Sequence, residues 1–113
     1  MFGELGKMMK VARDVKQRMP AMQAELAARQ FTAAAGDGAV SVTVTGKGVL
    51  ADVRIDPAIM SDGDGDPAAG AARLGDWITA AVSDAQNQAT RAAAEMMNEL
   101  TGGMNLPGLD QLL

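Results

Sequence analysis

Apolar positions near the start of the chain recur at helical spacing. Leu5, Met8, Ala12, Val15, Met19, Met22 and Leu26 follow one another in alternating steps of three and four. That is a heptad seam, and it predicts a helix over 4–29 that packs lengthwise against another helix. Pro20 conflicts with it, because a proline inside a helix removes one backbone donor and crowds the preceding turn, at a cost of about 3 kcal/mol. The pattern therefore predicts a kink near Lys16–Pro20 or a helix that restarts at Pro20. The period then changes from helical to alternating. Val40, Val42 and Val44 alternate with Ser41, Thr43 and Thr45, a half-buried strand. Val49, Ala51, Val53 and Ile55 alternate with Leu50, Asp52 and Arg54 in a second strand, and Gly46-Lys47-Gly48 makes the hairpin between them. A weaker strand over 30–34 places Phe31 and Ala33 on one face and turns at Gly36-Asp37-Gly38.

Asp56-Pro57 ends the sheet, since the residue before a proline avoids helical backbone, and 61–67 reads as a loop. From 68 to 100 an alanine-rich helical pattern returns, with Leu74, Ile78, Ala81, Ala85, Ala89, Ala92, Met96 and Leu100 on one face. Thr101-Gly102-Gly103 supplies its stop. The predicted order is α-β-β-β-α. This is an α+β fold with a three-stranded antiparallel meander and two long helices, one domain over 1–103 followed by a flexible tail over 104–113.

Composition changes this picture in one respect. The 113 residues include nine Met, one Trp, two Phe and no Tyr. Alanine and methionine bury little area or specify packing loosely, so a lone monomer has a thin core and a homodimer is expected. There is no Cys and no His. Thiolate chemistry, disulfides and imidazole bases or ligands are thereby excluded, and no nucleotide motif is present. The chain reads as a non-enzyme without cofactor or small-molecule substrate. Nothing resembles a signal peptide or a membrane span, which makes the cytoplasm the default location.

Net charge is −4, but it is unevenly spread. Residues 1–29 hold six basic and three acidic side chains, whereas 30–113 hold four basic and eleven acidic ones. Within the first helix Lys7, Lys10 and Arg13 recur every three residues and fan over about 120° opposite the seam, with Lys16 and Arg18 flanking them. Such a strip suits contact with phosphates, and equally suits plain solvation of a helix face. Lys47 and Arg54 are weaker candidates. Asp62, Asp64 and Asp66 suggest a calcium loop, but its sixth position is Pro67 and its twelfth Arg73, so the required Gly and Glu are missing.

Several segments also resemble a known family. The opening Met-Phe-Gly-Glu-Leu-Gly-Lys-Met-Met-Lys (1–10), the stretch Val42-Thr-Val-Thr-Gly-Lys-Gly (42–48), Ile55-Asp56-Pro57, and Leu100-Thr-Gly-Gly-Met-Asn-Leu-Pro-Gly-Leu (100–109) are similar to YbaB/EbfC proteins in order and spacing. The resemblance implies a tweezer-like homodimer, with sheets joined at the centre and helical arms projecting. It also implies binding to double-stranded DNA with little sequence preference, association with the nucleoid, and an effect on gene expression. It transfers no base-reading residues, so Lys7, Lys10, Arg13, Lys16 and Arg18 remain candidates from charge geometry. The alternative is an adaptor whose Met/Leu seam docks another protein without DNA. Binding of the first helix to a membrane surface is disfavoured by its small Ala/Met face.

Overall fold

Three antiparallel strands form a meander in the order β1-β2-β3: β1 (Gln30–Ala35), β2 (Val40–Thr45) and β3 (Leu50–Ile55). They are framed by α1 (Phe2–Ala28), a single turn α2 (Ala58–Ser61) and the long α3 (Pro67–Thr101). The structure, a computed structural model, describes residues 2–61 and 66–103. The expected flexibility of 104–113 and the residues Asp62 and Asp64 lie outside them. The α+β arrangement predicted from periodicity is present.

The alternation in β2 decides where the core lies. Val40, Val42 and Val44 are buried to the last percent, while Ser41, Thr43 and Thr45 between them are half-buried. Phe31 and Ala33 of β1 pair with Val44 and Val42 and share that face. Onto it α3 lays Ala81, Ala85, Ala89 and Ala92, all buried. Alanine is what allows this, since a side chain of one methyl lets the helix axis approach the sheet closely. Each fully buried valine contributes about 1.5–3 kcal/mol, so the sheet side of the core is valine and the helix side is backbone brought close. Leu74, Trp77, Ile78 and Met96 close the ends of the stripe. At Gly36 the backbone adopts φ +64°, and the Trp77 indole lies flat against it where a Cβ would project.

A second cluster joins the helices. Val15, Met19 and Met22 of α1 bury against Met97, with Val11 and Leu100 packed at the margin. Leu26, further along α1, belongs instead with Ala89 and Ala92. This order of partners makes α1 and α3 antiparallel.

Two expectations are corrected. The restart at Pro20 does not occur, because α1 runs unbroken from Phe2 to Ala28. The Pro20 ring lies on the exposed side, where water reaches the helix, while Met19 and Met22 on the opposite side are held by burial. The loop expected over 61–67 loses both end residues, Pro67 opening α3 and Ser61 closing the helical turn α2. Asp56 accepts a hydrogen bond from the Ala58 amide at 3.0 Å, the cap that starts it. Both ends of α3 are capped: the Asp66 carboxylate accepts from the Ala68 amide at 3.1 Å, and Gly102 ends the helix in left-handed backbone, the stop expected of Thr101-Gly102-Gly103.

The pairing of β3 also departs from simple alternation. Val40 faces Ile55 and Val42 faces Val53, but an irregularity between Thr43 and Val44 brings Val44 opposite Leu50. Leu50 therefore joins the face that carries Ile55, where strict alternation separates them.

Candidate nucleic-acid interface

The five basic side chains of interest all belong to α1, and the packing of that helix determines where each points. The seam Val15–Met19–Met22–Leu26 is buried, so the remaining directions face outward. At about 100° per residue, Lys10 and Arg13 lie some 150° from the centre of the seam, and Lys7 and Lys16 lie about 90° to either side. All four are exposed, as is Arg18. Residues 3–10 are exposed on every side, because α3 stops at Thr101, level with the Val11 region of α1. The first half of α1 thus projects beyond the body of a molecule 72 Å long and about 20 Å across, its two shorter extents being 22 and 18 Å. Lys7 and Lys10 stand on that projection, Arg13 and Lys16 at its root.

Of the other five cations three are engaged, whereas Lys47 and Arg91 make no ion pair or ring contact among the described residues. Arg54 donates to the Asp52 carboxylate at 3.0 Å, the one ion pair among the described residues. The Arg29 guanidinium sits 5.2 Å from the centre of the Phe31 ring, and Arg73 sits 5.4 Å from that of Trp77. By contrast, no ion pair among the described residues holds Lys7, Lys10, Arg13, Lys16 or Arg18. Their charge is available to an external anion without first breaking an internal contact.

Arg18 stands apart from the strip. It lines an open groove between α1 and α3 together with Glu25, Glu95 and Glu99, with Met22 and Met96 forming the floor. Those carboxylates make the groove a mixed surface and offset the attraction of Arg18 for phosphate. Lys47 occupies the β2–β3 turn, exposed and on a different element. The structure therefore brings Lys7, Lys10, Arg13 and Lys16 together on one arm, with Arg18 at its groove side and Lys47 and Arg54 elsewhere. Among the described residues no group of three or more His, Cys, Asp or Glu is arranged to hold a metal ion.

Sequence alternation did not reveal a further surface along β3. Val49, Leu50, Ile55 and Met60 are exposed, because α3 lies over β1 and β2 and leaves the β3 side uncovered. The outer backbone edge of β3 also has no strand partner among the described residues. The available signal was the run of three apolar residues, Val49 to Ala51, which places apolar side chains on both faces where one covering helix can bury only one.

Comparison with known proteins agrees with this architecture. The family model described as the YbaB/EbfC DNA-binding family matches residues 1–104. The chain is 34% identical over 110 residues to a nucleoid-associated protein of Desulfotalea psychrophila, covering 97% of this chain and 98% of that one. It is 39% identical over 107 residues to one of Polynucleobacter necessarius, covering 95% and 92%. The crystal structure of an uncharacterised Helicobacter pylori protein superposes with a TM-score of 0.58 at 19% identity, over 74% of this chain and 89% of that one, and so shares the fold. With a match over nearly its whole length and relatives above 30% identity across both chains, this protein belongs to the YbaB/EbfC DNA-binding family.

Proposed function

We propose that the chain is a nucleoid-associated protein that binds double-stranded DNA as a homodimer, largely without reading sequence, through Lys7, Lys10, Arg13 and Lys16, with Arg18 at the margin. The observation that carries this reading is the exposed row of unengaged cations on a projecting helix of an otherwise acidic chain. Contacts of that kind neutralise phosphates, release counterions and position the protein without distinguishing bases. The aromatic side chains among the described residues support a duplex ligand. Phe31 is buried and Trp77 is packed on Gly36, so neither offers an open ring for stacking unpaired bases. Such a role places the protein in the bacterial cytoplasm on the nucleoid, with gene expression affected through DNA occupancy. No helix among the described residues is long and apolar enough to cross a membrane.

The dimer reading rests on β3. An open strand edge beside exposed Val49, Leu50 and Ile55 is a surface that a second copy can pair with and cover. It also gives each particle two basic arms. The double substitution Leu50→Glu with Ile55→Glu puts charge on that surface while touching only side chains already exposed in the single chain. Light scattering at micromolar concentration is expected to report twice the chain mass for the wild type and a single chain mass for the variant. A folded variant that keeps the doubled mass would place the interface elsewhere.

A second reading has its own observation. Leu5, Met8 and Met9 are exposed on the arm, as an adaptor docking a partner helix would require. Salt separates the two, because phosphate binding weakens steeply with ionic strength and apolar docking does not.

A further inference from the structure

The seam of α1 is only half used. Val15, Met19, Met22 and Leu26 are buried, but Leu5 is 58% exposed and Met8 37% exposed on the continuation of the same stripe. Ala12, between Met8 and the buried Val15, is exposed as well. Where the cover ends is also where α3 ends, since Val11 and Leu100 pack at the margin of one cluster and Gly102 stops the helix. The two helices are antiparallel, so α3 runs toward the N-terminus of α1. A chain leaving Gly103 in that direction meets the bare stripe first.

We propose that this stripe, Leu5–Met8–Ala12, is the docking surface for residues 104–113 of the same chain. Those ten residues include Met104, Leu106, Leu109, Leu112 and Leu113 and carry a single side-chain charge, that of Asp110. Their reach is ample: six residues of helix from Val11 to Leu5 span about 9 Å, and ten residues of extended chain span about 33 Å. Position favours this occupant over a second copy of the arm, because residue 104 follows directly on the end of α3, where the bare stripe begins. Docking leaves the cations outward and gives the projecting half of α1 an apolar cover. The inference does not depend on the proposed DNA binding.

The absence of native cysteine makes a direct test clean. Met8→Cys is combined in separate full-length proteins with Leu106→Cys, Leu109→Cys or Leu112→Cys, each checked for native circular dichroism and then oxidised. Lys10→Cys on the far side of the helix, paired with the same three positions, is the control. At least one Met8→Cys pair is expected to close within the chain at least tenfold faster than its control, read as a linked peptide after digestion and a single chain mass on a non-reducing gel. Links only between chains would show a second copy on the stripe. Equal rates for all pairs and controls would show a tail that does not dock. Either result overturns the proposal. A second variant avoids cysteine: Leu106→Asp with Leu109→Asp should raise the rate of trypsin cleavage after Lys7 and Lys10 severalfold, and an unchanged rate would contradict the docking.

Discussion

Replacing Lys7, Lys10 and Arg13 with alanine is expected to weaken binding to every duplex alike and to flatten its dependence on salt. The three side chains are exposed and free of ion pairs among the described residues, so removing them subtracts charge and little else. Alanine is the best helix former, and loss of positive charge in the first half of a helix does not oppose its dipole. The fold should therefore change in stability by less than about 0.5 kcal/mol. In a dimer the change removes six charges. If all six touch phosphates, the slope of log affinity against log salt falls in magnitude by about five units. The check is circular dichroism and light scattering for the variant, then duplex titrations over a salt series. A folded, dimeric variant with unchanged affinity and slope would show that the strip is not the DNA surface. Lys47 would then be the better candidate, since Arg54 is already held by Asp52.

Gly46→Ala is expected to be the most destabilising single substitution in the hairpin. Gly46 is buried, and its amide donates to the Arg29 carbonyl at 3.2 Å, which ties the turn to the end of α1. A Cβ at this position would run into the Leu26 carbonyl, which is backbone and cannot rotate away. Either the hairpin or the end of α1 must shift, and Leu26 belongs to the main core. Overpacking typically costs about 1–3 kcal/mol where side chains can give way, so here about 3 kcal/mol or more is expected. Urea denaturation measures it as a lowered midpoint at unchanged slope. Gly48→Ala is an informative partner: an added Cβ there meets nothing, and the expected cost comes only from its φ of +80°. Equal and small losses for both would mean that the close approach of α1 to the hairpin is not tight.

The contrast between these glycines shows what the sequence could and could not convey. Gly46-Lys47-Gly48 is legible as a hairpin turn from its composition, but nothing local says that α1 crosses over its first residue. The alternation of β2 and the alanine stripe of α3 were readable because one period fits one buried face, and the residues so marked are those at the core. The seam of α1 was readable as a helix face but not as a half-covered one, since the spacing of Leu5 and Met8 is no different from that of Val15 and Met19. Only the end of α3 at Thr101 separates them. Likewise Leu50 changes face through a one-residue pairing irregularity that alternation cannot register. The basic arm was visible as charge against an acidic remainder. That Arg29, Arg54 and Arg73 are engaged, while the arm cations, Lys47 and Arg91 are without such contacts, follows from the folded arrangement and not from the spacing of charges.

The central claim is that exposed cations on α1 bind duplex DNA through its phosphates. Its most direct test is a gel-shift titration of the wild-type protein on unrelated duplexes of equal length at low and moderate salt. The account predicts affinities that agree across sequences and fall by orders of magnitude as salt rises from about 50 to 200 mM, as expected for six or more phosphate contacts. No binding at low salt, or binding that salt leaves unchanged, would contradict it.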